Sequence, residues 1–141
     1  SPGVAAAGSG ANRVRARSAV RVFRPAKAGR TEGSVSADRC VIVLTTMPTA
    51  DAADRLATTL VEERLAACVN ILPEMRSVYR WEGQIERGTE HQIVMKTTPG
   101  KVGALHARVE ALHPYAVAEI LDIQASGGGA AYLKWVTESV G

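Results

Sequence analysis

The residues able to do metal or covalent chemistry are few in this chain of 141 residues: His91, His106, His113, Cys40 and Cys68. A borderline-soft ion such as Cu(II) asks for imidazole, thiolate or carboxylate donors that converge on it. His113 stands directly before Pro114-Tyr115, with Glu119 shortly after. That stretch offers an imidazole and a carboxylate to one weak divalent-cation site. The plainer role for a histidine at a helix end is to stabilise the last carbonyls. His91 falls in a strand of alternating character and His106 on the polar side of a helix, so both are expected to face solvent. Cys40 and Cys68 lie inside the apolar runs CVIVL and AACVNIL, with no CxxC and no paired histidine. They read as buried small hydrophobes.

Catalysis finds no support in these residues. The neighbours of Cys68, Ala67 and Val69, are apolar and supply no base or cation to activate a thiol. HExxH, a P-loop and a Ser/His/Asp arrangement are all missing, and the GGG at 127–129 lacks the lysine of a phosphate cradle.

The elements that must position the candidate residues follow from periodicity. CVIVLTT (Cys40–Thr46) is a β-branched run, the mark of a strand buried on both faces. Thr49 can cap the next segment, where Ala53, Leu56, Ala57, Leu60 and Val61 recur at helical spacing. LAACVNIL (Leu65–Leu72) predicts a second strand, continuing past a bulge near Pro73–Glu74 into SVYRW. Glu82-Gly83 predicts a two-residue hairpin turn. The return strand starts at Gln84 and runs through HQIVMKT, with an irregularity expected at Gly88. A helix opens at Pro99-Gly100, carries Val102, Leu105, Val109 and Leu112 on one face, and stops before Pro114. AEILDIQA (Ala118–Ala125) predicts a fourth strand and AAYLKWVTES a terminal helix. The resulting βαββαβ order plus a C-terminal helix is an α+β, ferredoxin-like split β-α-β fold with an antiparallel sheet.

Within the long arm, Tyr79 and Trp81 point to one face and Val78 and Arg80 to the other. Two helices cover only one face of such a sheet, which leaves the aromatics stranded. A second copy of the same chain is the simplest cover, so Tyr79 and Trp81 are expected at a subunit interface.

Charge divides the chain in two. Residues 1–37 hold seven of the 17 Lys and Arg but only Glu32 of the 14 acids, leaving ten bases against thirteen acids in 38–141. The formal net charge of +3 is therefore a property of the N-terminal arm, and gives no reason to expect a nucleic-acid partner. The arm's arginines lack interleaved aromatics, Phe23 being alone. The arm is rich in Ala, Gly, Ser and Arg and has no run long enough for a membrane span or a secretory core. It resembles an organellar transit peptide, and no packed structure is expected there. Residues 38–141 are expected to form the single domain.

Taken in order, RLAACVNI (64–71), SVYRWEGQIE (77–86), KTTPGKVGAL (96–105), HPY with AEIL (113–121) and YLKWV (132–136) resemble the CutA family of divalent-cation tolerance proteins. The likeness spans about residues 39–138. It implies a tight homotrimer whose β-arms reach neighbouring subunits, a non-enzymatic role in tolerance of copper or other divalent cations, and binding of Cu(II). Bacterial relatives place a cysteine near the end of the first strand and a histidine pair before Pro-Tyr; Thr45 and Leu112-His113 match those positions here. By this resemblance the candidate metal set is His113, Glu119 and the Thr45 position. Plant forms carry organellar extensions, which points the arm to a chloroplast, with the cytoplasm or mitochondrion as alternatives. A different class, the PII signalling proteins, shares the trimeric architecture and binds nucleotides or metabolites between subunits. Such a sensor uses a long mobile loop where this chain has the short hairpin from Tyr79 to Arg87.

Overall fold

The computed structural model describes residues 38–141; the expected N-terminal arm, 1–37, lies outside them. Along the described chain run β1 (Val41–Met47), α1 (Ala50–Glu62), β2 (Cys68–Trp81), β3 (Gln84–Thr97), a single 3-10 turn (Pro99–Lys101), α2 (Val102–Leu112), β4 (Leu121–Gln124) and α3 (Ala130–Val140). The four strands form one sheet in the order β2-β3-β1-β4, with every neighbouring pair antiparallel. This is the expected βαββαβ arrangement with its C-terminal helix.

Local chemistry sets several boundaries. The Thr49 hydroxyl accepts a hydrogen bond from the Ala52 N–H at 3.1 Å and so caps α1. Pairing between β2 and β3 slips between Ile71 and Glu74, where Pro73 lacks the N–H a regular ladder needs. His91 steadies this bulge: its Nδ1–H donates to the Leu72 carbonyl at 2.9 Å. The hairpin turns on Glu82 (φ 47°) and Gly83 (φ 79°), both left-handed, which matches the twist of the two strands. Gly88 brings no irregularity, contrary to expectation; it pairs with Ser77 in unbroken register.

One side of the sheet is sealed. Val41, Val43 and Met47 of β1 and Ile93 and Met95 of β3 pack against Leu56 and Leu60 of α1 and Leu105 and Val109 of α2. Each such side chain contributes about 1.5–3 kcal/mol by leaving water. Leu112, expected on this face, is exposed at the end of α2, as is Val61 near the end of α1. On the opposite side α3 covers one end only, where Leu133, Val136 and Val140 pack on Cys40 and Ala67. Cys40 is buried as expected, and burial pushes its thiol up. Cys68 is only half-buried, and both thiols are free.

Much of the remainder of that second side is left without a helix over it. By the strand registers it carries Leu44, Val94, Leu121 and Ile123, and along the β2–β3 arm Tyr79 and Trp81. Leu121 and Ile123 are 55% and 48% exposed, Tyr79 and Trp81 48% and 43%. Val78 and Arg80 lie on the other side of the arm, as alternation requires.

Two buried threonines test the packing with opposite signs. Thr97 donates its hydroxyl to the Leu65 carbonyl at 2.7 Å, whereas the Thr45 hydroxyl is fully buried without a partner. Thr45→Val removes an unpaired polar atom and is expected to stabilise the fold by about 1–2 kcal/mol; Thr97→Val is expected to destabilise it by about 1 kcal/mol. Urea unfolding at one fixed protein concentration measures both.

Candidate functional site

The candidate residues meet at the far end of β1. β4 pairs with β1 only as far as Leu44 opposite Leu121, so the Thr46 carbonyl, which faces that edge, has no β4 partner, while Thr45 faces β3 opposite Ile93. Side chains reach both carbonyls. Gln92 donates from Nε2 to the Thr45 carbonyl at 2.7 Å and to Oε2 of Glu119 at 2.9 Å. The Nε2 of His113 lies 2.7 Å from the Thr46 carbonyl. β4 is shorter than the expected Ala118–Ala125, and the rung that residue 119 would have made to Thr46 is filled by His113 from the end of α2.

Around His113 the hydrogen bonds fix the tautomer. The Tyr115 backbone N–H points at Nδ1 at 3.1 Å. An amide N–H only donates, so Nδ1 must hold its lone pair, and Nε2 carries the proton that the Thr46 carbonyl accepts. Beyond it, the Tyr115 ring tilts against the imidazole with centroids 4.8 Å apart, and its phenol donates to Oε2 of Glu90 on β3 at 3.2 Å. Burial first, and then the Glu90 carboxylate, push the Tyr115 phenol up to about 12.

Thus His113 and Glu119 are both tied to the end of β1, through adjacent carbonyls. Thr45 joins them through its backbone alone, since its hydroxyl is shut inside the core beside Ile93. Among the described residues no group of three or more His, Cys, Asp or Glu side chains is placed to hold a metal ion. A cavity of about 360 Å³ lined by Arg39, Thr98, Lys101 and Thr137 contains none of the candidates.

The other histidines depart from expectation. Neither is simply solvent-facing: His91 is half-buried on the bulge, and His106 donates from Nε2 to Oδ1 of Asp122 at 2.6 Å, joining α2 to β4. The residues that sequence reading missed are Gln92, Glu90 and Asp122. Asp122 had a signal, an acid in the apolar strand LDIQ at a position facing the helices. Gln92 and Glu90 had none, because polar residues on alternate positions of a strand read as solvated.

Comparison with known proteins gives a consistent result. Residues 41–139 match the family described as CutA1 divalent ion tolerance protein. The divalent-cation tolerance protein CutA of Thermus thermophilus is 45% identical over 100 residues, 71% of this chain and 97% of its own. A solved structure of the divalent cation tolerance protein from the same species superposes with a TM-score of 0.70 at 44% identity, covering 72% of this chain and 99% of that one. A rice protein named CutA 1, chloroplastic, is 36% identical over 120 residues, 85% of this chain and 68% of its own.

The Tyr115 phenol gives a pH signature. Its raised value means that the neutral form supports the fold, a contribution present below the ordinary tyrosine range near pH 10 and lost as the pH climbs towards about 12. Ultraviolet difference titration should show a phenol ionising near 12 that disappears in Tyr115→Phe and moves down in Glu90→Gln. Ionisation unchanged by either substitution would contradict the contact.

Proposed function

Because this chain belongs to the CutA1 divalent ion tolerance family over residues 41–139, we propose that it is a non-catalytic homotrimer that takes Cu(II) or another divalent cation at His113. The single observation that carries the metal reading is the posture of that imidazole. Metal-binding histidines characteristically donate their other ring N–H to a carbonyl or carboxylate, which fixes the tautomer and aims the lone pair. His113 already does this through Nε2 and the Thr46 carbonyl. Its Nδ1 lone pair, which accepts from the Tyr115 backbone N–H at 3.1 Å, is the donor left for an ion. Glu119, on the same connection between α2 and β4, supplies a carboxylate held in place by Gln92. Imidazole with carboxylate suits Cu(II) by softness and affinity order.

The homotrimer is supported by the bare side of the sheet. Tyr79 and Trp81 on the arm and Leu121 and Ile123 on β4 are large apolar side chains left 43–55% exposed on that side. Covering an aromatic of this size contributes about 2 kcal/mol. Closed rings of odd order need two unlike surfaces on each copy. The arm supplies them, with aromatics on one face and Val78, Arg76 and Arg80 on the other. In the same reading residues 1–37 direct the protein to a plastid, by the composition of the arm and by the likeness to a rice protein named chloroplastic.

Isothermal titration with Cu(II) tests the metal site. Wild-type protein is expected to bind, His113→Ala to lose binding, and Glu119→Gln to bind about tenfold more weakly. Equal binding in all three would remove His113 from the site.

A further inference from the structure

The homotrimer reading is the premise here: given copies that meet through their arms, we propose that the β2–β3 arms stack face on face. Arg76 and Arg80 of one arm then sit over Glu90 and Glu86 of the next, and charge selects the register in which copies assemble.

The strand register sorts the arm's charges by sign. Arg76, Val78 and Arg80 on β2 share the helix side with Arg87 on β3, whereas Glu86 and Glu90 share the open side with Tyr79 and Trp81. All three arginines are exposed, and none makes an ion pair among the described residues. Residues 38–141 carry ten bases against thirteen acids, so three bare guanidinium groups on one face run against the sign of the body around them. Glu86 and Glu90 lie through the ribbon on its other side and do not neutralise them. The surface that fits this face is anionic.

The open side of a second arm fits by spacing as well as by sign. Arg76 and Arg80 stand four residues apart on one strand and Glu86 and Glu90 four apart on the other, about 13 Å along the ribbon in each case. Between the arginines Val78 protrudes, 62% exposed. Between the acids is Gly88, which has no side chain; the nearest atom to a Cβ built there is the Tyr79 phenol oxygen at 3.9 Å. An Arg-x-Val-x-Arg row thus meets a Glu-x-Gly-x-Glu row, with a cation opposite each anion and a protruding side chain opposite a bare position. The rings of Tyr79 and Trp81 beside the acids offer further faces for guanidinium planes to stack on. The two sides of the arm are unlike, so each copy gives one and receives the other, as a closed ring of odd order requires.

Sedimentation equilibrium of the full chain as wild type, Arg80→Glu, Glu86→Arg and the double variant tests the stacking. Both positions are exposed, which leaves the fold of each chain intact. Either single reversal places like charges together and should raise the concentration at which the trimer dissociates by at least about tenfold. The double variant puts opposite charges back at that contact and should return to within about threefold of wild type. Because Arg80 and Glu86 lie on opposite sides of their own ribbon, such a rescue reports a contact between copies and not within one. Single variants as stable as wild type, or a double variant no tighter than the singles, would overturn the stacking and leave the trimer standing. Wild-type protein that stays a single chain at every concentration would remove both.

Discussion

A four-stranded antiparallel sheet has two sides to keep from water, and α1 and α2 lie across one of them. Of the helices the second side receives only α3, at the end near Cys40 and Ala67. Leu121 and Ile123 on β4 and Tyr79 and Trp81 on the arm remain largely wet. This imbalance between sheet and helix governs the rest of the molecule. It accounts for strands of 14 residues in β2 and β3, far longer than the five or six residues a domain this size needs for its own core. The bulge at Ile71–Glu74 bends the arm away, and the left-handed Glu82-Gly83 pair closes it tightly. A ribbon built so firmly beyond its own core is suited to contact something outside it.

The candidate metal site arises from a second incompleteness, at the other edge of the sheet. β4 is four residues long and leaves the Thr46 carbonyl, which faces that edge, without a strand partner. Buried backbone acceptors must be satisfied somehow. His113 does so, and Gln92 bonds the neighbouring Thr45 carbonyl; together they hold an imidazole and, through Gln92, the Glu119 carboxylate at neighbouring points on one strand. The same hydrogen bond that repairs the ladder also selects the tautomer of His113. Structural repair and ligand orientation are one feature here.

Much of this architecture was legible in the sequence because it is local. Thr49 as a cap, the slip near Pro73, the hairpin at Glu82-Gly83 and the shared face of Tyr79 and Trp81 each follow from a few adjacent residues. The details that escaped depend on residues brought together by the fold. His106 meets Asp122 across 16 positions, Gln92 reaches the Thr45 carbonyl across 47, and His113 the Thr46 carbonyl across 67. Periodicity places a histidine on the polar side of a helix but does not say that a strand presents an aspartate there. It likewise marks Ala118–Ile120 as strand without showing that the Thr46 carbonyl is already taken by His113. Gly88 erred the other way: a residue that permits a bulge does not require one when the neighbouring pairs keep register.

The central claim is that further copies of the chain cover the open side of the sheet. Sedimentation equilibrium of the purified protein at nanomolar concentration measures this directly. A particle of three chains' mass that persists on dilution is the predicted result. A folded single-chain particle, stable with Trp81 and Ile123 in water, would contradict it.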